Sequence, residues 1–311
     1  MTKLGIIWAT LSITKNPLAG LALKRSNTRK AIAFKNGCTY RLTWPQFRYL
    51  RGSYPVFSKF TLTQLEDDLF KLDSPEGIIT CSSALLFLIC NLMQNYTVTQ
   101  EKTNLFRLKN DKVELVGFPD MLVCIQELET GEYEWDYRDK VVLDVGGFEG
   151  ESAAYFWQKG AKKVIIYEPL AEHVKFIERN VALNHINAEI HQKGIGKTDG
   201  RVTIHFDRID PGFGINSTGS SSVEIEVSDV SKVIAGSSAD IAKFDCEGAE
   251  EFLVGVPSEI LGRIPFYIIE VHSTDIRKSI LEKFEDVGFT LKKEIAKHSN
   301  FSVLVFQRAK K

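Results

Sequence analysis

The chain has 311 residues and a formal net charge of −1, with 44% hydrophobic and 25% charged residues. This composition is that of an ordinary globular protein, and it excludes disordered, collagen-like and strongly basic chains. The charges are unevenly distributed. The first 65 residues contain eleven Lys or Arg and no acidic residue, so the remainder carries 28 of the 39 basic residues and all 40 acidic ones. This asymmetry predicts either an anionic partner for residues 1–65 or a basic face that packs on an acidic body.

The cysteines and the apolar segments indicate the compartment. Five cysteines are scattered without a Cys-x-x-Cys pair, which argues against a disulfide framework or a zinc site and favours the reducing cytoplasm. Leu4–Ile13 and Ala84–Met93 are apolar but too short to span a bilayer, and no convincing signal-peptide cleavage site follows the first. We therefore predict a cytoplasmic protein without a transmembrane segment. Peripheral binding of the basic N-terminal segment to an anionic membrane is the alternative.

Residues 1–130 predict a smaller α+β domain. The chain begins with a helix that is broken at Pro17, and turn signals at Asn36-Gly37 and Asn110-Asp111 predict two β-hairpins. Further helices are predicted at residues 62–72, 82–95 and 119–128. We find no internal repeat. This domain is the natural candidate for substrate recognition, although its sequence indicates no chemistry.

Residues 131–311 alternate buried strands with helices. Short apolar, β-branched strands are predicted at residues 141–145, 164–167, 241–244 and 266–269. This alternation predicts an α/β fold with a Rossmann-like, mostly parallel sheet that has helices on both faces. Two final strands, about residues 289–295 and 302–307, suit an antiparallel pair. Residues 207–222 are rich in Gly and Ser and predict a mobile loop, either a lid or a plain surface loop.

The turn GGFEG at residues 146–150 follows the first of these strands and precedes a helix. A dinucleotide fold requires G-x-G-x-x-G, and Phe148 stands where the second glycine belongs. Glu149 and Glu151 would also repel a pyrophosphate at the N-terminus of that helix. S-adenosylmethionine has a sulfonium, an α-amino group and no phosphate, so acidic neighbours suit it. We predict that it binds at this turn, with Glu168 accepting hydrogen bonds from the ribose hydroxyls.

Acids and one histidine occupy the ends of the predicted strands: Asp144, Glu168, Asp245-Cys246-Glu247 and Glu270-Val271-His272. Because the carboxyl ends of parallel strands meet at one edge of a sheet, we expect these side chains to form a cluster. Glu270 and His272 are two residues apart on one strand, so their side chains point the same way, as a general base acting on a hydroxyl requires. A structural histidine and a divalent metal site are the alternatives, and our prediction assigns no metal.

Several segments carry a resemblance to a known family: LDVGGFEGESA, IIYEP, the helix end at residues 180–184, GIG at 194–196 and, most specifically, KFDCEGAEEFL. They resemble the FkbM family of S-adenosylmethionine-dependent methyltransferases, over roughly residues 132–275. The resemblance implies a seven-stranded methyltransferase sheet and O-methylation of a hydroxyl of a sugar, polyketide or related molecule. It implies a cofactor pocket made by Asp144, Gly146, Gly150, Glu168 and Asp245. Family members commonly have Ala and Asn at the positions of Gly147 and Phe148, so the contact to the methionine end of the cofactor is not inherited.

The sequence therefore predicts a methyltransferase domain at residues 131–311, acting on a hydroxyl of a sugar, glycolipid or other small molecule. The predicted catalytic residues are His272, Glu270 and Glu247. The predicted cofactor-binding residues are Asp144, Gly146, Gly147, Phe148, Glu149, Gly150, Glu168, Pro169, Ile195 and Asp245.

Three other functions compete with this prediction. An RNA methyltransferase would use the basic N-terminal segment, but the chain lacks the Asn/Asp-Pro-Pro-aromatic run expected for methylation of a base amino group. A non-catalytic nucleoside-binding protein could have the same fold. An NAD-dependent oxidoreductase is disfavoured by the glycine turn.

Overall fold

The computed structural model describes residues 10–24, 28–206, 219–298 and 301–308. The chain divides into two compact units, Met1–Gln126 and Glu127–Lys311. Residues 1–9 of the predicted first helix (residues 1 to about 24) and most of the predicted mobile loop (residues 207–218) lie outside the described residues, as does the tip of the last predicted turn at 299–300. Every described helix falls short of the length or the hydrophobicity that crossing a membrane requires.

The first unit contains antiparallel hairpins and helices in alternation. Its elements are α1 (Pro17–Leu23), β1 (Lys30–Ala33), β2 (Thr39–Leu42), α2 (Trp44–Phe57), β3 (Thr61–Glu66), β4 (Leu69–Ser74), β5 (Gly77–Cys81), α3 (Ser83–Leu92), β6 (Thr97–Lys102), β7 (Leu105–Lys109) and β8 (Glu114–Gly117). Helix α4 (Pro119–Glu129) follows and runs across the boundary between the units. The strands form the sheets β1-β2, β3-β4-β5 and β6-β7-β8, all antiparallel.

The hairpin predictions are confirmed, and one helix prediction is wrong. Asn36-Gly37 joins β1 to β2, and Asn110-Asp111 lies between β7 and β8. The helix predicted at residues 62–72 is instead the hairpin β3–β4. Leu62, Phe70 and Leu72 are buried while their neighbours along each strand are more exposed, which is the period-two burial of a strand. The helix predicted at residues 82–95 is α3, whose N-cap Ser82 accepts a hydrogen bond from Leu85 N–H.

An internal repeat, which we did not find in the sequence, is present in this unit. Residues 61–64 (TLTQ) and 69–72 (LFKL) recur 36 residues later as 97–100 (TVTQ) and 105–108 (LFRL). Both copies form a hairpin with the same irregular register, between Gln64 and Glu66 in one and between Gln100 and Lys102 in the other. A third strand and a helix follow each hairpin. Our expectation that the chain has no internal repeat is therefore wrong. The repeat was hard to detect because the matching residues are few and the helical parts of the two copies differ in sequence.

The glutamine of each copy binds the last strand of the preceding segment. The Gln64 amide oxygen accepts a hydrogen bond from Arg41 N–H at 2.9 Å, and its amide nitrogen donates to the Arg41 carbonyl at 3.0 Å. Gln100 makes the same pair of hydrogen bonds to Thr80, at 2.7 and 3.2 Å. In both copies a side chain thus imitates the backbone pairing of a neighbouring strand and joins successive segments.

We expect Gln64→Ala and Gln100→Ala each to lower the free energy of unfolding of the first unit by about 1–2 kcal/mol, because each removes hydrogen bonds worth about 0.5–1.5 kcal/mol apiece. Urea denaturation, with amide hydrogen exchange of residues 61–109 as the local readout, measures the loss. The control is Gln94→Ala, at an exposed glutamine outside the two pairs. Equal stability of all three variants would contradict the linking role.

The second unit contains the large sheet. Its strands are β9 (Val141–Val145), β10 (Lys163–Tyr167), β11 (Ala188–His191), β12 (Gly194–Gly196), β13 (Gly200–Phe206), β14 (Ser221–Asp229), β15 (Ile241–Phe244), β16 (Phe266–Val271), β17 (Phe289–His298) and β18 (Phe301–Arg308). Its helices are α5 (Glu151–Gln158), α6 (Ala171–Leu183), α7 (Val230–Gly236), the 3₁₀ helix Ala249–Gly255, α8 (Ser258–Leu261) and α9 (Thr274–Asp286).

Seven of these strands form one sheet in the order β11-β10-β9-β15-β16-β18-β17. The pairs are parallel except those made by β18, which is antiparallel to both β16 and β17. This confirms the predicted α/β class with its Rossmann-like, seven-stranded, mostly parallel sheet. A dinucleotide-binding sheet has six parallel strands, so the antiparallel β18 distinguishes the two folds. Strands β12, β14 and β13 form a separate small sheet.

Alternation along the central strands decides which residues reach the site. Leu143 and Val145 of β9 and Phe244 of β15 belong to an apolar core that also contains Phe284 of α9. Successive side chains of a strand point to opposite faces, so Asp144 and Lys243 share the other face of the sheet. Their strands pair with these two residues in register. A buried acid and a buried lysine therefore face each other across two neighbouring strands.

Candidate functional site

The glycine turn is bound to the end of β10. The N–H groups of Gly146 and Gly147 both donate to the carbonyl of Tyr167, at 2.9 and 3.2 Å. Gly146 has a φ of 85°, a left-handed conformation that favours glycine. A Cβ at Gly146 would overlap the carbonyl oxygen of Asp245, and one at Gly147 would overlap the side chain of Ile166. The missing side chains therefore make room for the protein's own atoms, which gives these two glycines a packing role that we did not expect.

The acids of the turn lie inside the protein. Glu149 is fully buried and Glu151 nearly so, and Glu149 N–H donates to Glu151 Oε2 at 3.2 Å. Burial raises the pKa of Glu151 to about 8, so this carboxyl is largely uncharged at neutral pH. Glu149 and Glu151 thus stand beside the N-terminus of α5, as expected, but they are buried and Glu151 is largely uncharged, so they give little support to the predicted repulsion of a pyrophosphate. Phe148, in place of a glycine, and the antiparallel β18 are the observations that still disfavour a dinucleotide.

Glu168 connects the end of β10 to the turn and to α6. Its Oε2 accepts a hydrogen bond from Phe148 N–H at 3.1 Å, and its Oε1 accepts one from Leu170 N–H at 3.0 Å. The Nδ1 of His173 lies 3.3 Å from Oε1, and the ring edge of His173 contacts Phe148 at 4.5 Å between centroids. A carboxylate offers about four acceptor positions, so Glu168 can hold the turn and still accept from a hydroxyl.

The other two predicted cofactor residues of this region, Pro169 and Ile195, follow Glu168 in the sequence. Pro169 follows Glu168 and is half-buried, and it lies against Gly194 of the small sheet. Ile195 of β12 is buried and belongs to the same apolar core as Leu143. Its side chain therefore packs within the protein.

A buried ion pair lies beneath the turn. Lys243 Nζ is 3.2 Å from Asp144 Oδ1 and 3.5 Å from Asp245 Oδ2, and it donates to the Gly146 carbonyl at 2.6 Å. Asp144 Oδ2 accepts a hydrogen bond from the hydroxyl of Ser152 at 2.6 Å. Burial alone would lower the pKa of Lys243, but the charges of Asp144 and Asp245 raise it above its usual value. Lys243 is therefore a cation that fixes the turn.

The residues after β15 and β16 form a second polar group, which we name the Asp245–His272 cluster. It contains Tyr133, Asp245, Glu247, Glu250, Glu270 and His272. The Nε2 of His272 lies 3.3 Å from Glu247 Oε1, 3.7 Å from Asp245 Oδ1 and 3.9 Å from Glu270 Oε1. The structure thus brings together the three predicted catalytic residues, His272, Glu270 and Glu247, and adds Asp245 to them.

Glu250 holds His272 from its other side. This fully buried carboxylate lies 2.9 Å from His272 Nδ1 and accepts hydrogen bonds from the N–H groups of His272 and Gly248, at 3.1 and 2.8 Å. Burial opposes protonation of His272, yet its hydrogen bonds to Glu247 and Glu250, together with their charges, raise its pKa to about 11. His272 is an imidazolium in this arrangement, which does not favour the predicted role as a free base.

Three residues of this region, Tyr133, Lys243 and Glu250, were not predicted as site residues from the sequence, although Glu250 belongs to the D-x-E-G-x-E signature. Tyr133 is buried, and its hydroxyl lies 3.0 Å from Glu270 Oε2 and 3.3 Å from Asp245 Oδ2. Lys243 forms the ion pair described above. Lys243 had a signal, because it precedes Asp245 by two residues on a buried strand and so shares its face. Tyr133 had none, since it lies more than a hundred residues from both carboxylates.

The chemistry of this sheet edge suits a cation. The carboxylates of Asp245 and Glu247 are 29% and 25% exposed, whereas Lys243 is 3% exposed and bound to Asp144 and Gly146. A phosphate would meet negative charge here, and a sulfonium or ammonium group would be attracted. Asp245, Glu270 and His272 also offer ligand atoms within 4.8 Å of one another, which is close enough to hold a metal ion.

No protein-family model and no curated protein matches the sequence. The chain is similar in fold to SMU.776, solved in complex with SAH, at 10% identity, a TM-score of 0.46 and coverage of 93% of this chain and 98% of the other. It is similar to TYW2 of M. jannaschii in complex with AdoMet, at 14% identity, a TM-score of 0.40 and coverage of 68% and 90%. Fibrillarin of Aeropyrum pernix, with natively bound S-adenosyl-L-methionine, gives 10% identity, a TM-score of 0.39 and coverage of 79% and 97%. All three TM-scores are below 0.5, so the function is argued from this chain's own residues.

Proposed function

We propose that this chain is an S-adenosylmethionine-dependent methyltransferase that methylates a hydroxyl of a small molecule or glycan. The observation that supports it most is the pairing of a glycine turn with an acidic cluster at one edge of a seven-stranded sheet. Parallel α/β sheets bind ligands at the carboxyl ends of their strands, where the order of the strands reverses. In this sheet that point lies between β9 and β15, beside Gly146 and Asp245.

The residues at this edge fit the cofactor. S-adenosylmethionine supplies an electrophilic methyl group on a sulfonium. The turn at residues 146–150 would approach the methionine part, Asp245 would bind the amino group, and Glu168 would accept hydrogen bonds from the ribose. Asp144 contributes indirectly, because it holds Lys243 and hence the carbonyl of Gly146. Phe148 and Pro169, both half-buried, are the apolar groups nearest in the chain to an adenosine held by Glu168.

The Asp245–His272 cluster would hold the acceptor. Its partly exposed carboxylate Glu247 can accept a hydrogen bond from a hydroxyl and orient the oxygen for in-line attack on the methyl carbon. The new bond joins that oxygen to the methyl carbon, the carbon–sulfur bond breaks with its electron pair left on sulfur, and the hydroxyl proton passes to a carboxylate. Glu247 and Glu270 are the acceptors of that proton in this proposal, and His272 positions them.

The defined residues of the D-x-E-G-x-E signature, on which the FkbM resemblance most specifically rests, each have a physical role in the Asp245–His272 cluster. Asp245 and Glu247 face His272, Gly248 has a φ of 102° that favours glycine, and Glu250 orients the imidazole. This supports membership of the FkbM family as part of the proposal, with a sugar-like or related hydroxyl as the acceptor. Calorimetric titration with S-adenosylmethionine, followed by transfer of a labelled methyl group to a panel of hydroxyl compounds, tests it. Absence of cofactor binding would overturn it.

An RNA acceptor is the second candidate, and the acid-free first 65 residues favour it. Such a substrate would bind through phosphate contacts, and its affinity would fall steeply as salt rises. Retention on an RNA column that is lost at moderate salt, together with methyl transfer to RNA, would replace the small-molecule proposal.

We expect Glu168→Ala to weaken the binding of S-adenosylmethionine by about 1.5–3 kcal/mol, the range for hydrogen bonds to a charged group. The variant removes the acceptor for the ribose and one attachment of the turn. Isothermal titration calorimetry measures the change. The matched control is Glu189→Ala on the adjacent strand β11, where the carboxylate is about half exposed and pairs with Lys163. Unchanged affinity of Glu168→Ala would remove Glu168 from the cofactor site.

A further inference from the structure

We infer that Asp245, Glu270 and His272 bind one divalent metal ion of the Mg²⁺ or Mn²⁺ type. The binding itself is argued from the geometry of these side chains. Its consequence for catalysis rests on the proposed function, because the metal would lie where the acceptor hydroxyl is held. The sequence assigned no metal and left a divalent metal site at these residues as an alternative, which this inference adopts.

The first argument is distance. Two ligands of one such ion lie at most about 4.2 Å apart, twice the length of an Mg–O bond. His272 Nε2 is 3.7 Å from Asp245 Oδ1 and 3.9 Å from Glu270 Oε1, and the ligand atoms of all three residues lie within 4.8 Å of one another. Only a small contraction is needed for these three atoms to surround one ion. Glu247 Oε1, 3.3 Å from Nε2, can join them or bind a metal-bound water.

The second argument is that partners outside the ligand set orient each candidate ligand. Glu250 binds His272 through Nδ1 and leaves Nε2 pointed at the carboxylates, which is the usual arrangement of a metal-bound histidine. The Tyr133 hydroxyl faces the other oxygens of Glu270 and Asp245, at 3.0 and 3.3 Å. Glu270 lies in β16, His272 directly follows the end of β16, and Asp245 directly follows the end of the neighbouring β15, so all three are held close to paired strands.

The third argument is the balance of charge. Four carboxylates form the cluster, and His272 and Lys243 are cations that lie beside them. An imidazole nitrogen binds a metal ion only without its proton, so the ion would take the place of the proton on His272 Nε2. A divalent cation would thus bring one more positive charge than that proton to a site where Nε2 faces Asp245, Glu247 and Glu270.

The two other histidine–carboxylate pairs found among the described residues do not have these properties. His191 Nε2 lies 2.9 Å from Glu189, but both side chains are about one-third to one-half exposed. His173 is buried, but it contacts the single carboxylate of Glu168, which is bound by two backbone N–H groups. The ligand set is therefore particular to the Asp245–His272 cluster, and His191 provides a matched control.

A metal here would change how the hydroxyl loses its proton. The three protein ligands leave coordination positions for water or for the acceptor oxygen. A hydroxyl bound to a divalent cation is more acidic than a free one, so its proton can pass to Glu247 or to water as the oxygen attacks the methyl carbon. No free imidazole base is then required.

Titration of the full chain with Mn²⁺, in the absence of S-adenosylmethionine, tests the inference by electron paramagnetic resonance. We expect one Mn²⁺ per chain, displaced by excess Mg²⁺, with a hyperfine coupling to a histidine nitrogen. Glu270→Gln and His272→Gln should each weaken Mn²⁺ binding at least about tenfold, and His272→Gln should abolish the nitrogen coupling. His191→Gln should bind Mn²⁺ as the unmodified protein does. Circular dichroism spectra and melting curves identify any variant that fails to fold.

The wild-type protein alone can overturn the inference. Mn²⁺ that stays unbound at millimolar concentration, or that binds without a nitrogen coupling, would contradict the inference. A folded His272→Gln variant that binds Mn²⁺ as tightly as the wild type would also contradict it. Binding of S-adenosylmethionine is measured separately with a chelator present. If the protein binds S-adenosylmethionine but not Mn²⁺, the metal inference fails and the proposed function stands. If it binds Mn²⁺ but not S-adenosylmethionine, the proposed function fails and the metal site stands.

Discussion

Lys243→Met is expected to lower the free energy of unfolding of the second unit by about 3–5 kcal/mol, the cost of leaving a buried charge without its partner. Asp144 is fully buried and Lys243 is 3% exposed, so water cannot replace the lost ammonium group. The substitution also removes the hydrogen bond to the Gly146 carbonyl, and with it one attachment of the glycine turn. Urea denaturation followed by far-UV circular dichroism measures the loss.

The matched control is Lys163→Met on β10 of the same sheet. Lys163 pairs with Glu189 at 2.5 Å, but the two side chains are 32% and 46% exposed. A surface pair of this kind contributes about 0–1 kcal/mol. The double variant Lys243→Met/Asp144→Leu should recover much of the loss, because apolar residues often replace a buried ion pair without cost. A single variant as stable as the control would show that Asp144 and Lys243 are not an ion pair.

His272→Ala is expected to lower the turnover number of methyl transfer about 10²-fold, the usual cost of misplacing the groups that orient the reacting atoms. His272 lies between Glu250 on one side and Asp245, Glu247 and Glu270 on the other, so its removal disperses the carboxylates that hold the acceptor. Binding of S-adenosylmethionine should change by less than about threefold, since the interaction lost belongs to the transition state. Single-turnover transfer of labelled methyl and calorimetry give the two numbers.

His205→Ala, at an exposed position on β13, is the control and should retain the activity. Glu247→Gln provides a second test of the same cluster that keeps the side-chain volume and the imidazole. Equal loss of turnover and of cofactor affinity in His272→Ala would indicate a general collapse of the sheet edge. An unaltered rate would eliminate the cluster as the place of proton transfer.

The large sheet was predictable because its central strands are buried on both faces and therefore read as unbroken β-branched runs, as in Val141-Val142-Leu143. The meeting of Asp245, Glu270 and His272 followed from the parallel arrangement alone. The first unit was harder. Residues 62–72 contain apolar residues that fit both a helix and a hairpin, and only tertiary pairing decides between them. Helix α2 contains Gly52 and Pro55, which obscured it, and the signals for its start are Thr43, Pro45 and Gln46.

The detailed contacts of the site could not be predicted, because they join residues from separate elements whose spacing in the sequence does not indicate a contact. That Glu149 and Glu151 turn inward is decided by the packing of α5, and the sequence shows only two acids near a helix start. The roles of the glycines in the turn needed the positions of Asp245 and Ile166, which come from other strands. Tyr133 reaches Glu270 from outside the sheet, and no spacing rule connects the two.

The glutamine contacts of the first unit have a consequence for how such chains can change in length. Each hairpin-and-helix segment is joined to the one before it in part through a glutamine whose side chain makes hydrogen bonds to backbone atoms. The receiving residue can therefore be Arg41 in one case and Thr80 in the other. A segment of 36 residues could be duplicated or deleted as a block while the surviving glutamines find an equivalent strand. Proteins of this architecture should accordingly differ from one another in steps of one such block.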